Sequence, residues 1–377
     1  MDFDYVVVPG LILLVGIVVI WLSLRRILLH SAKVANRWRR VVERIILSGV
    51  ILFAFVIAGC ASYNAIVLAW FRAHNPPPGE SYAVDGYKMH IYCSGSGTPT
   101  IVLDAGLGND ALIWGAVQPE LSRTTRVCAF DRAGFGWSDA RPAPRDADHI
   151  AQELHGLLMH ANVTGPVVLM GHSISGIYMR DYATRYPADV SGIVFVDGST
   201  PLQQDNSAFK AAAAAGPPQW LLTIIMKSAY IAGIPRLFGE CSRPFPGFDA
   251  HTAKLQAEDM CHPQFGGMAG EMDNFHRSGE ETVHAGPYGA LPILVFSQDP
   301  GKTKGGMPPQ MASAWNQMQE DLKKLSTRSR RIIARDSTHY IQLDRADLLK
   351  KEVPTFIEQI RGTAPQPAIL HFSQAQC

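Results

Sequence analysis

The stretch "VVLMGHSISGIYMRDYA", Val167 to Ala183, ends a buried-looking strand on a small hydroxyl and continues as a helix. A serine at such a junction, Ser173, is a candidate nucleophile, because a tight strand-to-helix turn lifts its Oγ clear of the backbone. The small residues Gly171 and Ser175 on either side suit a strained turn with close backbone approach. The helix that follows points its N-terminus at the serine and favours negative charge developing there. Such a nucleophile needs a base, an acid to hold that base, and donors for an oxyanion. Three polar residues stand just after other apolar runs: Asp197 after "GIVFV", Asp299 after "PILVFSQ", and His339 in "STHYIQLD".

The elements that must carry these residues are legible as alternation. "KMHIYCSG", "TIVLDAG", "RVCAFDRAG", "VVLMGHS", "GIVFVDGS", "PILVFSQDP" and "RRIIARDSTH" read as strands that end in Gly, Ser or Asp. Residues 148–161, 176–186 and 315–325 read as helices. Apolar strands alternating with helices predict an α/β domain with a mostly parallel sheet covered by helices on both faces. Chemistry in such a sheet belongs at the carboxyl ends of the strands. The alternation breaks between about residues 200 and 291. That segment is rich in Ala, Pro, Gly and aromatics, centred on "AAAAAGPPQWLLTIIMKSAYIAGIPRLFG", and is expected to be a helical cap over the site. Lys227 and the Gly-Pro breaks argue against a membrane span there.

Residues 1–71 have a different character. Tyr5 to Leu24 is a run of 20 residues without charge. As a helix it would extend about 30 Å, the thickness of a hydrocarbon core. A second uncharged run goes from Ile45 to Phe71. Between them "RRILLHSAKVANRWRRVVER" holds seven Lys/Arg and one Glu, the mark of a cytoplasmic loop. The expectation is a membrane anchor over 1–71 with transmembrane helices at about 5–24 and 45–67. It continues with a Pro-rich linker over 72–84, a catalytic core over 85–199 and 292–362 outside the cytoplasm, and a tail over 363–377. A cleaved signal peptide is the alternative for the first run, but no basic segment precedes it. "VIAGC", ending at Cys60, resembles a lipoprotein cleavage box; it reads as small residues inside a membrane helix, and acylation of Cys60 is the alternative. The net charge of +1 points to no nucleic-acid partner. No HExxH or paired-cysteine spacing suggests a metal, and no cofactor is implied.

In their order along the chain, "TIVLDAGLGND", "RVCAFDRAGFGWSD", "GPVVLMGHSISG", "GIVFVDGSTP" and "STHYIQLDRADLL" resemble the α/β-hydrolase superfamily, and in particular its membrane-associated or secreted bacterial members. The likeness covers most of residues 85–360, the cap excepted. One departure stands out: the family's usual glycine two places after the nucleophile is Ser175 here. The resemblance implies Ser173 as nucleophile and, from the order serine, acid, histidine, His339 as base. It implies Asp299 as the acid, with Asp197 as the alternative used by a minority of the superfamily. It implies an oxyanion hole made by the backbone N–H groups of Leu107 and Ile174, and a structural role for "DRAGFGWS". His172 is expected to point away from the nucleophile's hydroxyl.

The resemblance also places the strands of Cys93 and Cys128 side by side, so that a disulfide between them is expected. Cys241 and Cys261 in the cap either staple it or remain free buried thiols. The activity implied is hydrolysis of an ester by a serine esterase or lipase-like enzyme. The expected substrate is a small molecule, a hydrophobic acyl compound, met at the membrane bilayer. An amidase or peptidase of the same fold, and a catalytically silent membrane-anchored binding protein, are the rivals. The serine argues against haloalkane dehalogenase and epoxide hydrolase chemistry, which place aspartate at the nucleophile position.

Overall fold

A computed structural model of the chain describes residues 3–31, 34–142, 144–243, 245–302 and 307–363. Of the expected tail over 363–377, all but Thr363 lies outside the described residues.

Eight strands form one sheet: β1 (Glu80–Val84), β2 (Tyr87–Ser94), β3 (Ile101–Asp104), β4 (Val127–Phe130), β5 (Val167–His172), β6 (Val190–Val196), β7 (Ile293–Gln298) and β8 (Ser329–Ala334). Their order is β1-β2-β4-β3-β5-β6-β7-β8. β2 runs antiparallel to both its neighbours, and every other pairing is parallel. β3, β4, β5 and β7 are buried along their whole length, which explains why they read as continuous apolar runs. β1 occupies part of the segment expected to be linker. Its alternation of exposed and half-buried residues hides it from a search for apolar runs.

The helices are α1 (Val8–Arg25), α2 (Arg37–His74), α3 (Gln118–Leu121), α4 (Ala147–His160), α5 (Ser175–Arg185), α6 (Ser207–Ala215), α7 (Gln219–Ile231), α8 (Ile234–Leu237), α9 (Ala250–Met260), α10 (Phe265–Asp273), α11 (Phe275–Thr282), α12 (Pro309–Lys323), α13 (Ile341–Asp344) and α14 (Ala346–Thr363). Successive residues of each strand serve opposite faces. Val102, Leu169, Ile193 and Val295 meet Leu154 and Leu157 of α4 and Met179 and Tyr182 of α5. Leu103, Met170, Val194 and Phe296 meet Leu121 of α3 and Val353, Phe356 and Ile357 of α14. This two-sided core fixes the carboxyl ends of β3, β5 and β6 side by side.

The excursion between β6 and β7 holds α6 to α11. Cys241 and Cys261 form a disulfide within it, and Cys93 is bonded to Cys128, its register partner across β2 and β4. α1 and α2, with the helical turns flanking α1, are long and apolar enough to cross a membrane by length and composition. α2 starts earlier and ends later than the expected span. Asn36 caps it, its Oδ1 accepting from the N–H groups of Trp38 (3.0 Å) and Arg39 (3.2 Å).

Candidate active site

Ser173 follows directly on β5 and precedes α5, at φ +56°, in the left-handed region. For a residue with a Cβ this costs roughly 1–2 kcal/mol, so the surroundings must hold it. They do so through the backbone. Ser173 N–H donates to Val196 O at 3.3 Å, and Ser173 O accepts from Ser199 N–H at 2.7 Å and Gly176 N–H at 2.9 Å. The turn is thereby tied to the end of β6. Gly171 is required just before it, since a Cβ there would collide with the Ser175 side chain.

His339 lies in the loop between β8 and α13. Its Nδ1 sits 2.6 Å from Asp197 Oδ2. Asp197 is fully buried at the end of β6, and its Oδ1 accepts from Gln298 N–H (2.9 Å) and Trp315 Nε1–H (2.9 Å). Three hydrogen bonds thus converge on one carboxylate and aim it at the imidazole. The Trp315 ring meets His339 edge-on at 5.6 Å, and His172 Nε2 donates to the His339 carbonyl at 2.9 Å. With Nδ1 taken by Asp197, Nε2 of His339 is the nitrogen left for proton transfer. Among the described residues, no hydrogen bond joins it to Ser173 Oγ. The bond from His172 to His339 brings the two loops together one residue away from the serine.

Asp299, the acid expected first, is placed elsewhere. Its Oδ1 accepts from Gly301 N–H (2.9 Å) and its Oδ2 from Asp336 N–H (3.0 Å). These backbone donors, that of Asp336 foremost, hold its carboxyl below the ordinary range. Both oxygens are occupied in bracing the loops after β7 and β8, and the carboxylate paired with His339 is that of Asp197. Asp197 itself adopts φ +50°, in the left-handed region.

The loop after β3 passes over Ser173. A Cβ on Gly106 would lie 2.6 Å from His172 Nδ1 and 3.3 Å from Ser173 Cβ, so only glycine fits. The next residue, Leu107, packs in one cluster with Ile174. Among the described residues, no hydrogen bond takes up the N–H of Leu107 or of Ile174. His172, fully buried beneath this loop, is pushed well below the usual imidazole range by burial and then by the charge of His339.

Arg132, in the "DRAGFGWS" turn, organises the same loop. Its Nη1 donates to Ala105 O (2.5 Å) and Asp104 Oδ1 (2.6 Å), and its Nη2 to Gly106 O (3.2 Å). Nε and Nη2 together grip Glu271 of α10 at 2.6 and 2.9 Å. All three side chains are buried. Burial opposes the guanidinium's charge, but Glu271 and Asp104 outweigh it and hold Arg132 well above its usual value. Ser175, which replaces the family's usual glycine, donates its hydroxyl to Asp104 Oδ2 at 2.6 Å. The sequence pointed to a shaping role for this turn but gave no sign of Glu271, 139 residues away. Asp131 braces the turn itself, accepting from Ala111 N–H (2.7 Å) and Trp137 N–H (3.0 Å) and lying 2.8 Å from His90 Nδ1.

Comparison with known proteins agrees with this architecture. An uncharacterized protein of Schizosaccharomyces pombe is 30% identical over 251 residues, covering 64% of this chain and 43% of that protein. The uncharacterized protein YqjL of Bacillus subtilis is 25% identical over 266 residues, covering 70% and 86%. A putative carbamate hydrolase, RutD, of Cronobacter sakazakii is 37% identical over 168 residues, covering 44% and 59%. The match thus spans less than two thirds of two of these three relatives. Among solved structures, the enol-lactonase of Burkholderia xenovorans LB400 superposes with a TM-score of 0.54 at 20% identity, over 74% of this chain and 100% of that one. A putative lipase of Acinetobacter baumannii AYE gives 0.54 at 17% identity, over 79% and 97%; both likenesses show the fold. The profile described as "Alpha/beta hydrolase family" matches residues 101–352, from β3 into α14, and the chain belongs to that family.

Proposed function

We propose that the chain is a membrane-anchored serine hydrolase that cleaves an ester through an acyl-enzyme on Ser173. One observation carries the reading: Ser173 stands in a left-handed turn at the tip of β5, directly after His172, which is bonded to the backbone of His339, and the imidazole of His339 has its Nδ1 bound to a buried aspartate. In this reading His339 Nε2 takes the proton of Ser173 Oγ as that oxygen attacks the acyl carbonyl. Bonds between nucleophile and base commonly tighten only once substrate is bound. The oxyanion is met by the N–H groups of Leu107 and Ile174. Asp197 fixes the tautomer of His339 and stabilises the imidazolium. The imidazolium then protonates the leaving alcohol, and a water activated by His339 releases the acid.

Anchoring is supported by the two long apolar helices and the basic segment between them. With that loop in the cytoplasm the catalytic domain lies on the other side, where both disulfides would persist.

The test is covalent labelling with a fluorophosphonate probe. Wild type is expected to label and Ser173→Ala to remain unlabelled while still folded, with kcat lowered on the order of a millionfold. Labelling of Ser173→Ala to the wild-type level would refute the assignment, and silence of both proteins would favour a binding protein. Esters and amides of one acyl group, run in parallel, separate esterase from amidase.

A further inference from the structure

α7 is mostly apolar, with Lys227 its one charged residue, and its apolar side chains from Trp220 to Met226 are exposed. Trp220, Leu221, Leu222, Ile224, Ile225 and Met226 all lie at the surface. These six lie within the seven residues 220–226 and, at about 100° per residue, cover roughly two thirds of the helix circumference, leaving Thr223 and Lys227 on one narrow polar stripe. A helix at a water-facing surface turns its polar face outward; a helix that instead shows a wide apolar face with a narrow polar stripe suits the boundary of a lipid bilayer.

Its C-terminal end is seated on the two long N-terminal helices. Ile231 packs with Tyr5, Ala61 and Leu68. Asn64 of α2 donates to Tyr230 O at 3.0 Å and accepts from Arg236 Nε at 3.0 Å, which satisfies a polar side chain within an apolar helix. Asn64 stands seven residues before Phe71, the last of the uncharged run. At about 1.5 Å per residue, α7 therefore meets α2 about 10 Å inside that run. Exposed Tyr63 and Ile66 of α2 extend the apolar surface at this level. The same chain segment also reaches the catalytic residues. Phe209 of α6 lies 6.1 Å from the Trp315 ring, which in turn abuts His339.

We propose that α7 is embedded in the outer part of the bilayer beside α1 and α2, and that the site takes a water-insoluble acyl substrate directly from that leaflet. This rests on the membrane-anchored reading above and adds to it the class of substrate and its route.

The test uses the full chain in phosphatidylcholine vesicles, in a Cys60→Ser, Cys377→Ser background. An NBD fluorophore is attached at Ile224→Cys in one preparation and at Phe53→Cys, in the middle of α2, in another. Both are expected to emit as in an apolar medium, to be quenched by nitroxide-labelled lipid and to resist aqueous iodide. Quenching of residue 224 by iodide, with residue 53 still quenched by lipid, would overturn the proposal and leave the anchor standing. Iodide access at both positions would overturn the anchor itself. Protection of residue 224 from both quenchers would mean that protein covers α7, for instance a second copy, and would also overturn the proposal. In an activity arm, Ile224→Asp/Ile225→Asp is expected to lower turnover of a long-chain ester dissolved in the vesicles by at least about tenfold. Turnover of p-nitrophenyl acetate should stay at the wild-type rate. Equal rates on the vesicle ester before and after the substitution, or equal losses on both esters, would count against delivery from the leaflet.

Discussion

At the scale of single residues, the site rests on which oxygen holds which proton. If Asp197 fixes His339, then Asp197→Asn supplies a donor where an acceptor is needed, and the wrong tautomer is favoured. A loss of about 10⁴-fold in kcat is expected. Asp299→Asn touches only loop backbone and should leave kcat within a few-fold of wild type. Steady-state kinetics of the two variants decides between them.

His172 makes a separate prediction, for stability. Its imidazole is buried neutral, with a folded pKa well below the unfolded value of about 6.5. Below that pH the unfolded chain binds a proton that the folded chain refuses, so stability falls as pH falls. The loss is about 1.4 kcal/mol for each pH unit below about 6.5, until the folded value is reached. Urea midpoints followed from pH 7 to pH 5 should decline in wild type and decline less in His172→Gln.

At the scale of elements, the contact that matters most is between α10 and the loop after β3. Arg132 bridges them, with Glu271 on one side and Asp104, Ala105 and Gly106 on the other. Arg132→Met would leave two buried carboxylates without their partner. A loss of about 3–5 kcal/mol is expected, with a fall in kcat as the Gly106 carbonyl is released. Glu271→Gln in the same background should restore part of the stability but not the rate, because the loop remains unheld. Thermal melts and kinetics on the single and double variants would separate these effects.

The elements also show where the sequence was informative. β3 to β7 were legible because burial on both faces makes them nearly pure apolar runs, whereas half-buried β8 showed only in its apolar end and the polar turn after it. β1 was not, because an edge strand with an exposed face carries no such signal. The places of Ser173 after β5 and of His339 after β8 were legible from the polar residues that follow each apolar run. The sequence could not rank Asp299 against Asp197 because both end neighbouring strands; only the fold shows that Asp197 pairs with His339 while Asp299 binds loop backbone. Glu271 was invisible: nothing local marks a carboxylate whose partner lies on another element.

At the scale of the whole molecule, the proposed orientation has a simple consequence. With the basic segment in the cytoplasm, protease added to intact spheroplasts should remove the catalytic domain. A fragment spanning α1 and α2 should stay in the membrane. Recovery of the full-length chain after that treatment, with a control outer protein digested, would reverse the orientation. The two long N-terminal helices also touch the segment between β6 and β7: Tyr5 donates to Pro263 O at 3.1 Å and packs with Ile231 of α7.

The Arg132–Glu271 grip also divides the cap. Its rear half, α10 and α11, is clamped to the floor of the site; lifting α10 would pull a guanidinium out of a buried carboxylate fork. On the proposed acyl-hydrolase reading, entry of substrate would fall to the front half, α6 to α9. A hinge, where one exists, belongs near the Cys241–Cys261 staple at which the front half ends.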